Sequence, residues 1–166
     1  TGTDPRYAIP DGCVDMVFCC DPNHPYAEIC GTVLSPQVVL SECNTTYFGV
    51  RFLPGYNPVL GSADIMAHLV NHRIPLDDLI QDRRMLEGIW GASDFRQQIR
   101  VFMRSYMNIY RRVCPQEHQN LLVLHSSNLM IRSGGGISVE QLAEDTGYTP
   151  RYIDKCFRNE TGLSPK

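Results

Sequence analysis

The sequence predicts an α+β protein: a small antiparallel β unit, then a helical connector, then an all-α segment of short helices. Three observations carry this. Up to Phe52, apolar residues fall in short β-branched and aromatic runs broken by Pro, Gly, Asn and Asp. After Gly61 the apolar spacing changes to three and four. From Ile137 onward two short helices are marked by start and stop signals at both ends.

Taken in order, Pro10-Asp11-Gly12 is a turn, and Val14 to Cys20 alternates as a strand. Asp21-Pro22-Asn23-His24-Pro25 is a second turn, Tyr26 to Val33 a further strand, and Ser35-Pro36 a third break. Gln37 to Ser41 and Thr45 to Phe52 complete four or five short strands, a number that suggests an antiparallel sheet or barrel. Pro54-Gly55-Tyr56-Asn57-Pro58 closes the region. Ser62 is then read as the cap of a helix carrying Ile65, Met66, Leu69 and Val70. Leu76 to Ile80 adds a turn or two after the Pro75 break, and Met85, Leu86, Ile89 and Trp90 mark another short helix. Ser93 is read as the cap of the longest helix, Asp94 to Arg112, whose apolar residues repeat at three and four from Phe95 to Tyr110. That stripe is either core or a dimer seam. Cys114-Pro115 ends it, and a helix from Glu117 to about Arg132 follows. The divisions expected are 1–60, 61–115 and 116–166.

The last segment is the most specific. Ser138 with Gln141 three residues on fits a capping box, and Gly147 ends the first helix. Thr149 followed by Pro150 starts the second. Its Ile153, Cys156 and Phe157 share one face, while Arg151, Asp154, Lys155 and Arg158 lie on the other. A short helix, a glycine turn and a second helix with a polar, largely basic face is a helix-turn-helix pattern.

Composition sets bounds. There is no run of eighteen apolar residues, so no membrane span is expected, and Thr1 to Pro10 lacks the character of a signal peptide. A cytoplasmic location follows as the expectation. The net charge is −3, and residues 117–166 hold five basic against six acidic residues, a weak balance for a complete DNA-binding unit. Seven cysteines (Cys13, Cys19, Cys20, Cys30, Cys43, Cys114, Cys156) include no C-x2-C pair, so they read first as small buried hydrophobes. Asn44-Thr45-Thr46 reads as a turn.

The run from Leu142-Ala143 through Gly147 to Phe157, with the tail Thr161-Gly162-Leu163-Ser164-Pro165, resembles the first helix-turn-helix of the AraC/XylS family of bacterial transcription regulators. The segments Ile9-Pro10-Asp11-Gly12-Cys13-Val14-Asp15-Met16-Val17-Phe18 and Phe48-Gly49-Val50-Arg51-Phe52-Leu53-Pro54-Gly55 resemble the cupin-like sensor domain of one subgroup of that family. The resemblance implies a sensor in front, helices carrying homodimer contacts, and a DNA reader behind. It implies base contacts from Arg151, Asp154 and Lys155, and phosphate contacts from Arg158 and Thr149. The implied partners are double-stranded promoter DNA, an unidentified small-molecule effector, a second copy and RNA polymerase. The family carries a second helix-turn-helix downstream, so a chain trimmed at both ends is expected.

Other chemistry is poorly supplied. His68 and His72 are four apart on an expected helix, but the residue after His68 is Leu69 and no third metal ligand is evident. The strand region holds one histidine, His24, where a cupin metal centre needs several. No nucleophile elbow, phosphate loop or dinucleotide fingerprint occurs, so neither catalysis nor a cofactor is expected. Asp11, Cys13, Asp15 and Arg51 are the polar residues within the sensor segments; Asp11-Gly12 fits turn chemistry, and Arg51 fits either an anionic effector or a pair with Asp15. The competing readings are a thiol- or metal-responsive sensor and a protein-interaction module.

Overall fold

A computed structural model of the chain describes residues 6–39, 45–56, 58, 63–80, 83–113 and 117–165. Ser62, Cys43, Asn44 and the Cys114-Pro115 stop lie outside the described residues. The rest form two antiparallel sheets and seven helices, a mixed α+β architecture.

Strand β2 (Val14–Cys19) is the centre of the larger sheet, whose order is β5-β2-β3-β6. Its neighbours are β3 (Tyr26–Cys30) and β5 (Tyr47–Phe52), and β6 (Arg73–Pro75) pairs with the far side of β3. The alternation that predicts β2 has its physical result: Val14, Met16 and Phe18 are buried on one face, while Asp15 and Val17 line the other. Asp21 makes the turn to β3, its Oδ1 accepting from the N–H groups of Asn23 (2.7 Å) and His24 (3.0 Å). Asp11 Oδ1 accepts from the Cys13 N–H at 2.9 Å ahead of β2, with Gly12 at φ +70°. A separate ribbon pairs β1 (Arg6–Ala8) with β4 (Gln37–Val39).

Helices α1 (Ala63–Leu69), α2 (Leu76–Leu79), α3 (Arg83–Trp90) and α4 (Phe95–Val113) follow. The buried sheet face meets Met66 and Leu69 of α1, Leu86 and Ile89 of α3, and Phe102 and Tyr106 of α4 in one core. Aromatic contacts tie α4 down: Phe52 and Tyr106 have ring centroids 5.3 Å apart, and Phe18 meets Phe102 edge to face at 6.2 Å. The stripe of α4 divides. Phe102 and Tyr106 are core, whereas Phe95 and Met103 stay exposed.

A second core joins α5 (Glu117–Arg132), α6 (Val139–Thr146) and α7 (Pro150–Thr161) through Val123, Leu142, Ile153, Cys156 and Phe157. Helix α1 also packs on α7. A Cβ on Gly162, just past α7, would come within 2.4 Å of the Met66 carbonyl oxygen.

Three expectations change. The cap of α4 is Asp94, not Ser93: Asp94 Oδ1 accepts from the Gln97 N–H at 2.8 Å, while Ser93 bonds the Gln97 side chain. Arg73–Pro75 is an edge strand, where the sequence suggested only a break between helices; Pro75 is tolerated there because an edge position at a strand end needs no N–H donor. His68 and His72 do not share a helix. α1 ends at Leu69, Asn71 turns left-handed at φ 61°, and His72 Nδ1 lies 2.8 Å from the Val70 carbonyl.

Gly147 and Gly162 provide an internal comparison, since both are left-handed caps, at φ 72° and 74°. A Cβ on Gly147 meets nothing within 4 Å, so Gly147→Ala should cost only the left-handed penalty, about 1–2 kcal/mol. Gly162→Ala must also displace the α1 backbone and should cost at least about 1 kcal/mol more in urea unfolding. Equal losses would mean that the α1–α7 contact is not held in solution.

Candidate nucleic-acid interface and ligand cavity

The α6–α7 pair is built by its caps. Ser138 accepts from the Gln141 N–H at 3.1 Å, and Gln141 Oε1 accepts in return from the Ser138 N–H at 2.8 Å. Gly147 closes α6 with its N–H on the Ala143 carbonyl at 2.9 Å. Thr149 Oγ1 accepts from the Tyr152 N–H at 3.3 Å, so this hydroxyl serves the helix start. Ile153, Cys156 and Phe157 are buried, as their spacing predicts, and this fixes which way the other face points.

On that face Arg151, Lys155 and Arg158 are exposed and Asp154 is half-buried. The five predicted contact residues are thus brought to one helix, but two of them answer each other. Arg158 Nε donates to Asp154 Oδ2 at 2.9 Å, an exposed pair one turn apart. Arg151 and Lys155 have no ion-pair partner among the described residues. Sequence reasoning missed a neighbour: Tyr148 and Tyr152 stack at 5.1 Å with planes 23° apart, and both remain exposed. Their four-residue spacing across the cap was the available signal. Two unpaired cations beside an exposed aromatic pair can meet phosphate, a base edge or a thymine methyl.

The second feature is a cavity of about 340 Å³ between the polar face of the larger sheet and the β1–β4 ribbon. Strand register lays out its floor. One row across the sheet reads Arg51, Asp15, Cys30, Arg73; the next reads Gly49, Val17, Glu28; a third places Tyr47 and Tyr26 on either side of Cys19. Gly49 leaves open space where a side chain would stand.

The first row is an ionic net. Arg51 grips Asp15 with two parallel bonds, Nε to Oδ1 and Nη2 to Oδ2, each 2.8 Å, and reaches Asp11 Oδ2 with Nη1 at 3.0 Å. Arg73 meets Glu28 at 3.0 Å. The pairing of Arg51 with Asp15 is therefore the realised alternative, and both pairs are partly open to water. Thr32, only 4% exposed, is among the cavity-lining residues, and its buried hydroxyl has no hydrogen-bond partner among the described residues.

The cysteines here hold their protons. Burial, then the Asp11 carboxylate, pushes the Cys13 thiol up to about 11. Burial, then Glu28, pushes Cys30 up to about 12. Both are opposite to the lowered pKa of a reactive thiol. Cys13, Cys19, Cys20, Cys30 and Cys156 are free thiols. Among the described residues no group of three or more His, Cys, Asp or Glu is placed to hold a metal ion, and no helix is long and apolar enough to cross a membrane.

These thiols set a chemical test. At pH 8 an ordinary thiol of pKa 9 is roughly one-tenth thiolate, whereas one at 11 is about a hundredfold less so. Cys13 and Cys30 of the folded chain should therefore alkylate with iodoacetamide at least about tenfold more slowly than in urea. Equal rates would remove the burial and carboxylate effects assigned to them.

Residues 2–75, which take in both sheets and α1, match a domain of unknown function, DUF6597. No curated protein and no solved structure matches the chain.

Proposed function

We propose that the chain is a sequence-specific DNA-binding transcription regulator of the AraC/XylS type, with a cupin-like sensor unit and a helix-turn-helix formed by α6 and α7. The observation that carries this is the outer face of α7. Arg151 and Lys155 project without ion-pair partners among the described residues, beside the Tyr148–Tyr152 stack, on a helix capped at both ends and seated on its own core. In this reading Arg151 and Lys155 read base edges, Asp154 accepts from cytosine, and Arg158 and Thr149 stand at the phosphate edge. The Asp154–Arg158 pair is exposed and one turn long, so it opens at little cost when a phosphate arrives.

The effector binds the cavity, where Gly49 supplies room and the row of Arg51, Asp15 and Arg73 supplies charge. Its influence reaches α7 through α1. The cavity wall is bonded to the end of α1 by three contacts. Gly31 N–H donates to the His72 carbonyl at 3.0 Å and Asn71 N–H to the Thr32 carbonyl at 2.8 Å. Leu34 N–H donates to Asn71 Oδ1, also at 2.8 Å. A ligand that favours one placement of this junction shifts α1, and with it α7. The raised thiols of Cys13 and Cys30 count against a thiol sensor.

The test is selection from a randomised duplex library at moderate salt, followed by sequencing of the retained DNA. A defined motif should emerge. Arg151→Ala should weaken it by about 1–3 kcal/mol and relax one position, while Arg158→Ala should weaken all sequences alike and reduce the salt slope by about one. Retention without a motif, or none at all, would sink the proposal.

A further inference from the structure

Helix α4 presents a second surface that neither the cavity nor the α7 face uses. Phe102 and Tyr106 hold it to the core, but Ile99, Met103 and Met107 remain 40%, 51% and 38% exposed. Parallel to them run Arg96, Arg100, Arg104 and Arg111, all exposed and without an ion-pair partner among the described residues. No Asp or Glu occurs between Phe95 and Val113. Arginines four apart repel one another along a helix face, so the fold leaves this charge unanswered.

We propose that this face docks an acidic amphipathic helix from a partner protein. With 100° per residue, the arginine line lies farthest from the core, and the apolar line lies on the flank between it and Tyr106. A helix lying along that flank covers the apolar line and brings its own carboxylates to the guanidiniums. The other occupants fit less well. Duplex DNA offers phosphates but nothing to cover Ile99 and Met103. A lipid surface meets the outermost line first, which here is charge. A second copy sets arginine ladder against arginine ladder. The face is also small: from Phe95 to Arg111 it runs about 24 Å, on the order of a few hundred Å², against roughly 800 Å² per partner in a stable dimer. A weak, salt-sensitive contact is the expected result.

The experiment titrates the chain with a labelled helical peptide about 21 residues (six turns) long. Leucines form its apolar line and glutamates its flanks, and fluorescence anisotropy reports binding at low salt. Binding should saturate in the micromolar range. It should weaken at least about tenfold in Arg100→Glu/Arg104→Glu, and also in Met103→Ser, since both lines take part. Circular dichroism checks that these surface variants fold as the parent does. Absence of peptide binding overturns the proposal, as does equal binding of a lysine-flanked peptide. Binding of anionic vesicles or random duplex DNA that depends on Arg100 and Arg104 but not on Met103 overturns it too. A dimer at the same concentrations that Met103→Glu dissociates would assign the face to a second copy.

Discussion

The arrangement depends on one short helix used on two sides. Met66 and Leu69 of α1 are each 1% exposed and belong to the core under the sheet, while another side of the same helix bears on α7. Removing a side chain of that size from a core costs about 2–5 kcal/mol, so the seat of α1 is energetically firm despite its seven residues. The other junction between the cores is backbone as well. Gly55, at φ +90°, brings the turn after β5 so close to α5 that a Cβ would stand 3.0 Å from the Leu124 Cα. Glycine at such points permits an approach that any side chain would prevent.

Charge is divided as clearly as packing. Arg51, Arg73 and Arg158 are spent inside the molecule, on Asp15 and Asp11, on Glu28 and on Asp154. Exposed pairs of this kind add little stability, but the two-pronged grip of Arg51 fixes the orientation of three side chains at the cavity floor. Arg151, Lys155 and, on α4, Arg96, Arg100, Arg104 and Arg111 have no such internal use among the described residues. A net charge of −3 hides that distinction, because it sums paired and unpaired groups alike. The acidic balance of the last segment is likewise a poor guide to the face of α7, where Asp154 is already engaged with Arg158.

What was legible in the sequence was local. The Ser138–Gln141 box, the left-handed Gly147 and the Thr149-Pro150 start each act within a few residues, and the structure forms all of them. The alternation of Val14 to Phe18 and the buried line of Ile153, Cys156 and Phe157 were legible because a period on one element is enough to assign a face. The misses have a common cause. Arg73–Pro75 is a strand only because β3 offers it an edge, and three residues carry no period of their own. Ser93 and Asp94 are both good caps, and the choice depends on where the Phe95 and Phe102 rings meet the sheet. The cavity needs the β1–β4 ribbon above the rows of the larger sheet, and pairing between Arg6 and Val39 has no sequence signal. The Tyr148–Tyr152 stack has a sequence signal, the four-residue spacing, but one that crosses the helix cap and so belongs to no single period.

The tightest contacts of α1 bear on how the proposed regulator could work. Gly31, at the end of β3, lies against Leu69 so closely that a Cβ there would fall 1.8 Å from its carbonyl oxygen. Gly162 stands in the same relation to Met66, at 2.4 Å. Those two carbonyls are one helical turn apart, so α1 is gripped by the cavity wall at one point and by the end of α7 at the next. Close-packed backbone cannot absorb a shift in the way a flexible side chain can. In the proposed reading, a displacement of Gly31 and Thr32 by a bound ligand would pass to Gly162 without help from a long connector. The effect is bounded by the ligand's own preference between the two placements, since coupling can return no more free energy than differential binding supplies.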